Sequence, residues 1–346
     1  MKRTVKPGGI RVLVYLLLIG ILLYVVVYMP TPYLIYQPGS AEEVRPMISV
    51  EKGDPSEEGT FMLTTVSASY ANMALLVMSA FNSNAEVVPK EEKMGGQNKA
   101  EYAATQMYYM NSSQSSAMEA AYHEADIDYD IIPAYMFIMS VPKDSANKER
   151  FRPGDKLLSV DGEPASDNVK LAEMLSAQTI GDVVEVKLER GGKTITEKVP
   201  LVSIKDNKTG TERPGLGVVI ATMQKVEPRN PDHRIIFADT EIGGPSAGLM
   251  FTMEIYNQLT PGDLSKGYRV AGTGTIDNEG NVGPIGGVKH KIVAAHREGA
   301  ELFFVPRKNY EEAKVKADHI GTDMKLIPVD KLGDAIDYMN ALSPKG

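Results

Sequence analysis

The stretch Val12–Met29 carries no charged residue and no polar face. As a helix rising about 1.5 Å per residue it reaches about 27 Å, enough for the hydrocarbon core of a bilayer. A segment that is apolar all round has no surface role in a globular domain, and the missing polar face also argues against a buried core helix. It therefore divides the chain. Lys2, Arg3, Lys6 and Arg11 precede it, and a basic flank stays on the cytoplasmic side, so residues after Met29 are expected outside. A cleaved signal peptide is the rival reading. The apolar run is long for one, and Met29-Pro30-Thr31-Pro32 is a poor cleavage site. Taking the four cations from a net charge of −8 leaves −12 for the exported part, an acidic ectodomain. That balance argues against nucleic acid as a partner, because phosphate binding needs a basic face.

The 346 residues have room for two domains and a tail. There is no cysteine, which removes disulfides, thiol nucleophiles and thiolate zinc sites from consideration. No cofactor and no metal are expected. Residues 1–29 read as the basic tip and anchor, and residues 30–125 as a linker with strand and helix content. Pro30, Pro32, Pro38 and Gly39 mark an extended exit from the membrane. Thr60–Ser67 has strand composition, Asn72–Phe81 reads as a helix, and Gln97–Glu124 carries Ala, Met and Tyr at helical spacing without proline or glycine. The Met and Tyr residues there are read as packing. The strand and helix could belong to the C-terminal domain, with the next module inserted between them.

Residues 126–205 follow the order strand, turn, short strand, helix, hairpin. Tyr135–Val141 is the first strand, Phe151–Gly162 holds the Pro-Gly-Asp and Asp-Gly turns around Leu157–Val160, and Asp167–Gln178 is an amphipathic helix whose apolar face is Val169, Leu171, Ala172 and Leu175. Two alternating runs flank Arg190-Gly191-Gly192 as a hairpin. The order, and Arg152-Pro153-Gly154-Asp155-Lys156-Leu157-Leu158-Ser159-Val160-Asp161-Gly162 above all, resembles a bacterial PDZ domain. The resemblance implies that an extended peptide adds as a strand along Tyr135, Met136, Phe137 and Ile138. It departs from the family at the carboxylate loop, where Pro133 in Ile131-Ile132-Pro133-Ala134-Tyr135 lacks an N–H. A purely structural module is the plain alternative.

Residues 214–346 carry the chemistry. Gly243-Gly244-Pro245-Ser246-Ala247-Gly248 forms a tight loop before the apolar helical run Leu249–Tyr256. Ser246 is placed at the helix start, where unpaired N–H groups can hold an oxyanion. Ala247 and Gly248 are small enough to let a substrate backbone approach. The plain reading of this motif is a serine N-cap after a glycine turn. A second stretch, Gly280 to Lys291, ends in Val288-Lys289-His290-Lys291. A lysine acts as a base only when neutral, which needs burial to lower its pKa; its plain reading is a solvated helix face. The pair of motifs, 45 positions apart, resembles the proteolytic domain of Lon proteases, as do Thr273-Gly274, Ala294–Gly299, the strand Glu301–Pro306 and the closing helix Leu332–Leu342. The resemblance implies Ser246 as nucleophile, Lys291 as general base and Thr273 as the hydroxyl that orients the lysine, with Gly244, Pro245 and Ala247 in support and Lys289 exposed. Gly243 and Thr275 stand where that family usually has acidic residues.

No Gly-x-x-x-x-Gly-Lys-[Ser/Thr] loop occurs, so ATP is not expected as a ligand. The whole reading is α+β: an N-terminal transmembrane helix, a PDZ-like β-rich module and a Lon-type α/β proteolytic domain. It resembles the membrane-anchored PDZ–Lon proteases of Gram-positive bacteria, the YlbL type. That implies an ATP-independent endopeptidase at the outer face of the membrane. Its partners would be small secreted or membrane-tethered protein substrates and the bilayer through residues 12–29, with a homo-oligomer in keeping with the family. Two other classes fit parts of the pattern. Gly244-Pro245-Ser246-Ala247-Gly248 formally matches the elbow of α/β-hydrolases, although about 100 residues follow Ser246 and proline suits that strained turn poorly. An anchored scaffold without catalysis is the other.

Overall fold

The computed structural model describes residues 7–56, 58–205, 210–238 and 242–345. Lys2, Arg3 and Lys6 lie outside the described residues. Helix α1 (Pro7–Tyr28) is the one described helix long and apolar enough to cross a membrane, and its stretch Arg11–Tyr28 is buried nowhere. Only Met29 separates it from strand β1 (Pro30–Glu43), so the proline-rich exit is itself a strand. Next come β2 (Ile48–Val50), β3 (Thr60–Asn72), α2 (Met73–Ser79), β4 (Glu86–Pro89), α3 (Lys90–Met94) and α4 (Lys99–Glu124). The helix expected over Asn72–Phe81 is confined to α2, with Asn72 as its N-cap. Helix α4 starts two residues later than expected because Asn98 and Glu101 form a capping box there.

The middle of the chain gives β5 (Tyr129–Ser140), β6 (Lys156–Val160), β7 (Glu163–Pro164), α5 (Asn168–Ser176), β8 (Val183–Arg190), β9 (Lys193–Pro200), β10 (Val202–Lys205) and β11 (Glu212–Gly215). The last part gives β12 (Val219–Pro228), β13 (Ile235–Phe237), α6 (Gly248–Leu259), β14 (Arg269–Gly272), β15 (Thr275–Ile276), β16 (Val282–Gly283), α7 (Val288–Arg297), β17 (Leu302–Pro306), α8 (Tyr310–Ile320), β18 (Lys325–Val329) and α9 (Leu332–Ala341). β11 and β12 are separated at Gly217, whose φ is 71°, a conformation that glycine adopts freely.

One sheet has the order β18-β17-β14-β3-β1-β4. β18, β17, β14 and β3 are parallel, while β1 and β4 run antiparallel to their neighbours. It joins strands from both ends of the chain. Alternation along each strand feeds two cores. Phe61, Leu63, Val270 and Phe304 face a core with α4, α6 and α9. Met62, Ala271, Phe303 and Val305 face the other, with α7 and α8. The result is a three-layer helix–sheet–helix sandwich.

The other large sheet has the order β12-β5-β6-β8-β9, with β7 on β6, and α5 covers its core through Leu171 and Leu175. Val169, expected on that buried face, is exposed instead. It directly follows the first residue of α5, whose N-cap is Asp167, and looks outward. A small cluster of Ala104, Phe137, Ala221 and Met223 packs β5 and β12 against α4.

Candidate active site

An open cleft of about 970 Å³ runs between β3, the loop Gly243–Ala247 and the start of α7. The loop's shape follows from its sequence. Gly244 adopts φ 90°, and a side chain there or at Gly243 would meet Gln106 of α4 at 3.1 Å. The glycines let α4 lie close, and Gly244 N–H donates to Gln106 O at 3.1 Å. Ser113, two turns further along α4, donates its hydroxyl to Pro245 O at 3.1 Å. Ser246 precedes α6 by two residues rather than opening it, and buried Ala247 is the N-cap. The Ser246 carbonyl receives two donors, Thr273 Oγ1 and Gly274 N–H, each at 3.0 Å. Among the described residues the N–H groups of Ser246 and Ala247 have no partner.

Lys291 arrives from α7, whose first turn is set by Gly287 in the left-handed region at φ 71°. Its side chain is 2% exposed. Nζ lies 3.0 Å from Ser246 Oγ and also donates to Thr64 O of β3. Desolvation disfavours the ammonium and pulls the pKa down to about 7. The unfolded chain keeps that proton to about 10.5. This lysine therefore costs stability at low pH, and the cost is relieved as pH rises from about 7 to 10.5. Lys289, two positions earlier, points outward and pairs with Glu312 at 3.5 Å. His290 is buried and lies 3.2 Å from Glu86 at the cleft wall.

The structure thus brings Ser246, Lys291, Gly244, Pro245, Ala247 and Thr273 together. Thr273 differs from expectation in its contact: its hydroxyl bonds the backbone of Ser246, not the lysine amine. The lysine's second partner is Thr64 O, a main-chain atom 227 positions away. Tyr135, Met136, Phe137 and Ile138 lie outside this cleft and do not offer the expected free edge. β12 pairs with all four, from Met223 opposite Tyr135 to Ile220 opposite Ile138. β6 takes the other side at Met136 and Phe137. Pro133 sits inside β5 opposite Gln224, so the carboxylate loop is replaced by continuous strand. Among the described residues no group of three or more His, Asp or Glu side chains could hold a metal ion.

Two stretches of the chain match known families. Residues 238–342 match the C-terminal proteolytic domain of Lon protease (S16), and residues 119–201 match the PDZ domain. The Lon protease of Campylobacter concisus is 41% identical over 103 residues, 30% of this chain and 12% of that protein. The Lon protease of Campylobacter jejuni is 38% identical over 96 residues, 28% of this chain and 12% of that protein. The matched stretch thus spans about an eighth of the length of these curated relatives. Among solved structures, the PDZ domain of the SdrC-like protein from Listeria monocytogenes is 24% identical with a TM-score of 0.22, covering 25% of this chain and 85% of that one. The chain therefore combines a Lon-type proteolytic segment, a PDZ segment and one helix fit to span a membrane.

Proposed function

We propose that the chain is a membrane-anchored, ATP-independent serine endopeptidase of the PDZ–Lon (YlbL) type. Its substrates would be small secreted or membrane-tethered proteins at the outer face. The observation that carries this is the buried Lys291 amine 3.0 Å from Ser246 Oγ, with burial holding its pKa at about 7. Neutral Nζ takes the Ser246 hydroxyl proton as Oγ bonds the scissile carbonyl carbon. The carbonyl oxygen becomes an oxyanion, and the unpartnered N–H groups of Ser246 and Ala247 are the donors at hand. Collapse breaks the C–N bond, and the lysine ammonium returns its proton to the leaving amine. Water then attacks the acyl ester, again giving a proton to Nζ, and the Ser246 hydroxyl re-forms as the carboxyl product leaves.

Substrate orientation comes from β3. On one side β3 pairs with β1, but β14 covers the other side only over Thr60–Leu63. Phe61 O accepts from Val44 and Thr60 N–H donates to Tyr268 O. Even-numbered residues of β3 therefore turn their N–H and C=O away from β1. Val66 and Ala68 continue that edge along the cleft, where an extended substrate can pair. The PDZ segment reaches the nucleophile loop through α4, which touches β5 and β12 on one face and holds Gly244 and Pro245 by hydrogen bonds. Gating through α4 is the role this arrangement favours.

The test is hydrolysis of an unfolded protein by the full chain in vesicles. Ser246→Ala and Lys291→Met should each lose at least about a thousandfold in kcat. Persistence of activity in Lys291→Met would exclude the dyad and return the α/β-hydrolase class, and no hydrolysis by the unsubstituted chain would return the scaffold.

A further inference from the structure

The end of α1 is fixed to the domain with no slack. Met29 N–H still donates to Val25 O at 3.0 Å, and the next residue, Pro30, is already paired with Asn72 of β3. Asn72 then joins two helices. Its Nδ2 donates to Val27 O in the last turn of α1 at 2.6 Å, and its Oδ1 accepts the Leu75 N–H of α2 at 2.8 Å. Thr31 Oγ1 donates to Ala71 O at 2.7 Å beside this joint, and Lys90 Nζ reaches Thr31 O. Helix α2 is therefore held at the level where α1 ends.

That short helix presents apolar groups outward. Met73 and Val77 recur at i and i+4, and Phe81 extends the same face in the turn beyond. All three are exposed, Phe81 by 87%, and Met78 beside them by 66%. No charged residue occurs between Glu58 and Glu86. On the α1 side the rings of Tyr24 and Tyr28 lie 5.0 Å apart at the helix end, the residue type and place that mark a membrane–water boundary. We propose that α2 and the Phe81 turn lie in the interfacial layer of the bilayer, as a second membrane contact continuous with α1. This rests on reading α1 as a span. Lipid is the fitting occupant because the apolar face borders the last turn of the span and α2 itself carries no charged residue.

The contact would fix the height of the cleft. Tyr36 of β1 lines it and lies six residues beyond Pro30, at most about 20 Å along the strand. Cleavage would fall close to the membrane, within reach of tethered substrates.

The chain has no tryptophan, so single reporters read position cleanly. Phe81→Trp, Tyr28→Trp and Ile236→Trp would be made in the full chain and reconstituted in phosphatidylcholine–phosphatidylglycerol vesicles. Ile236 is exposed and pairs with Ser49 beyond the far end of β1. Lipids brominated at a shallow acyl position should quench Tyr28→Trp and Phe81→Trp at least about twofold, with blue-shifted emission, and leave Ile236→Trp unchanged. If Tyr28→Trp is quenched while Phe81→Trp behaves as Ile236→Trp does, α2 does not touch lipid and the proposal falls with the anchor intact. Blue-shifted Phe81→Trp emission without bromine quenching would mean a protein partner and would equally overturn it. An unquenched Tyr28→Trp overturns the span and the proposal together.

Discussion

β3 and β5 are both long strands with an apolar stretch, yet they differ in what their edges offer. β5 is closed over Met136 and Phe137: β12 pairs with it from Tyr129 to Ser140, and β6 takes the other side at those two residues. β3 is half open: beyond Leu63 the side away from β1 has no partner strand among the described residues. That open edge leads directly from Thr64, whose carbonyl holds the Lys291 amine. Composition marks a segment as a strand. Which edge stays free is decided by segments far away in sequence, and here a free edge lies beside Ser246 and Lys291 rather than along Met136 and Phe137.

The sharpest way to break this contrast is proline at each edge. Val66→Pro removes one N–H from the free side, where no ladder bond is lost. We expect kcat/KM to fall about 10- to 100-fold, the worth of one substrate hydrogen bond in a desolvated site, with the thermal midpoint little changed. Val66→Ala keeps the N–H and should lose far less. Met136→Pro, by contrast, strikes a strand paired on both sides, so its effect should appear as lost stability. Equal loss of kcat/KM in Val66→Ala and Val66→Pro would remove β3 as the substrate's partner.

A smaller effect tests the link through α4. Ser113→Ala deletes the hydroxyl that fixes Pro245 O. At about 1 kcal/mol for such a bond, kcat should drop about fivefold, with KM unmoved. A change in KM alone would mean that the loop does not depend on this tether.

Much of the site could be read from the chain because its side chains sit in glycine-framed loops. Ser246 needs Gly244 at positive φ, and Lys291 needs Gly287 to turn α7 into the cleft. The partners that use main-chain atoms could not be read. Thr64 O and Gln106 O do their work as carbonyls, which any residue supplies, and only the assembled sheet and α4 bring them near. The contact of Thr273 is hidden for a related reason: its hydroxyl donates to the backbone of Ser246, and residue type alone does not name the acceptor. The pairing of β12 along Tyr135–Ile138 is not legible either, because β12 alternates like any other strand and nothing local says where it will pair. Val169 shows the limit of helical periodicity near an N-terminus, where one residue decides whether a side chain faces the core.

The proposed dyad needs a lysine that is neutral when it works. The most direct measurement is kcat/KM of the full chain in vesicles between pH 5.5 and 9.5, on a substrate with no titrating group in that range. Burial lowers the Lys291 pKa to about 7, and in the proposed dyad the neutral amine is the active form. Activity should therefore rise with pH as a single ionisation with its midpoint near 7, losing about tenfold per unit below it. Activity that falls above pH 6, or a midpoint near the value of a free lysine, would contradict Lys291 as the base.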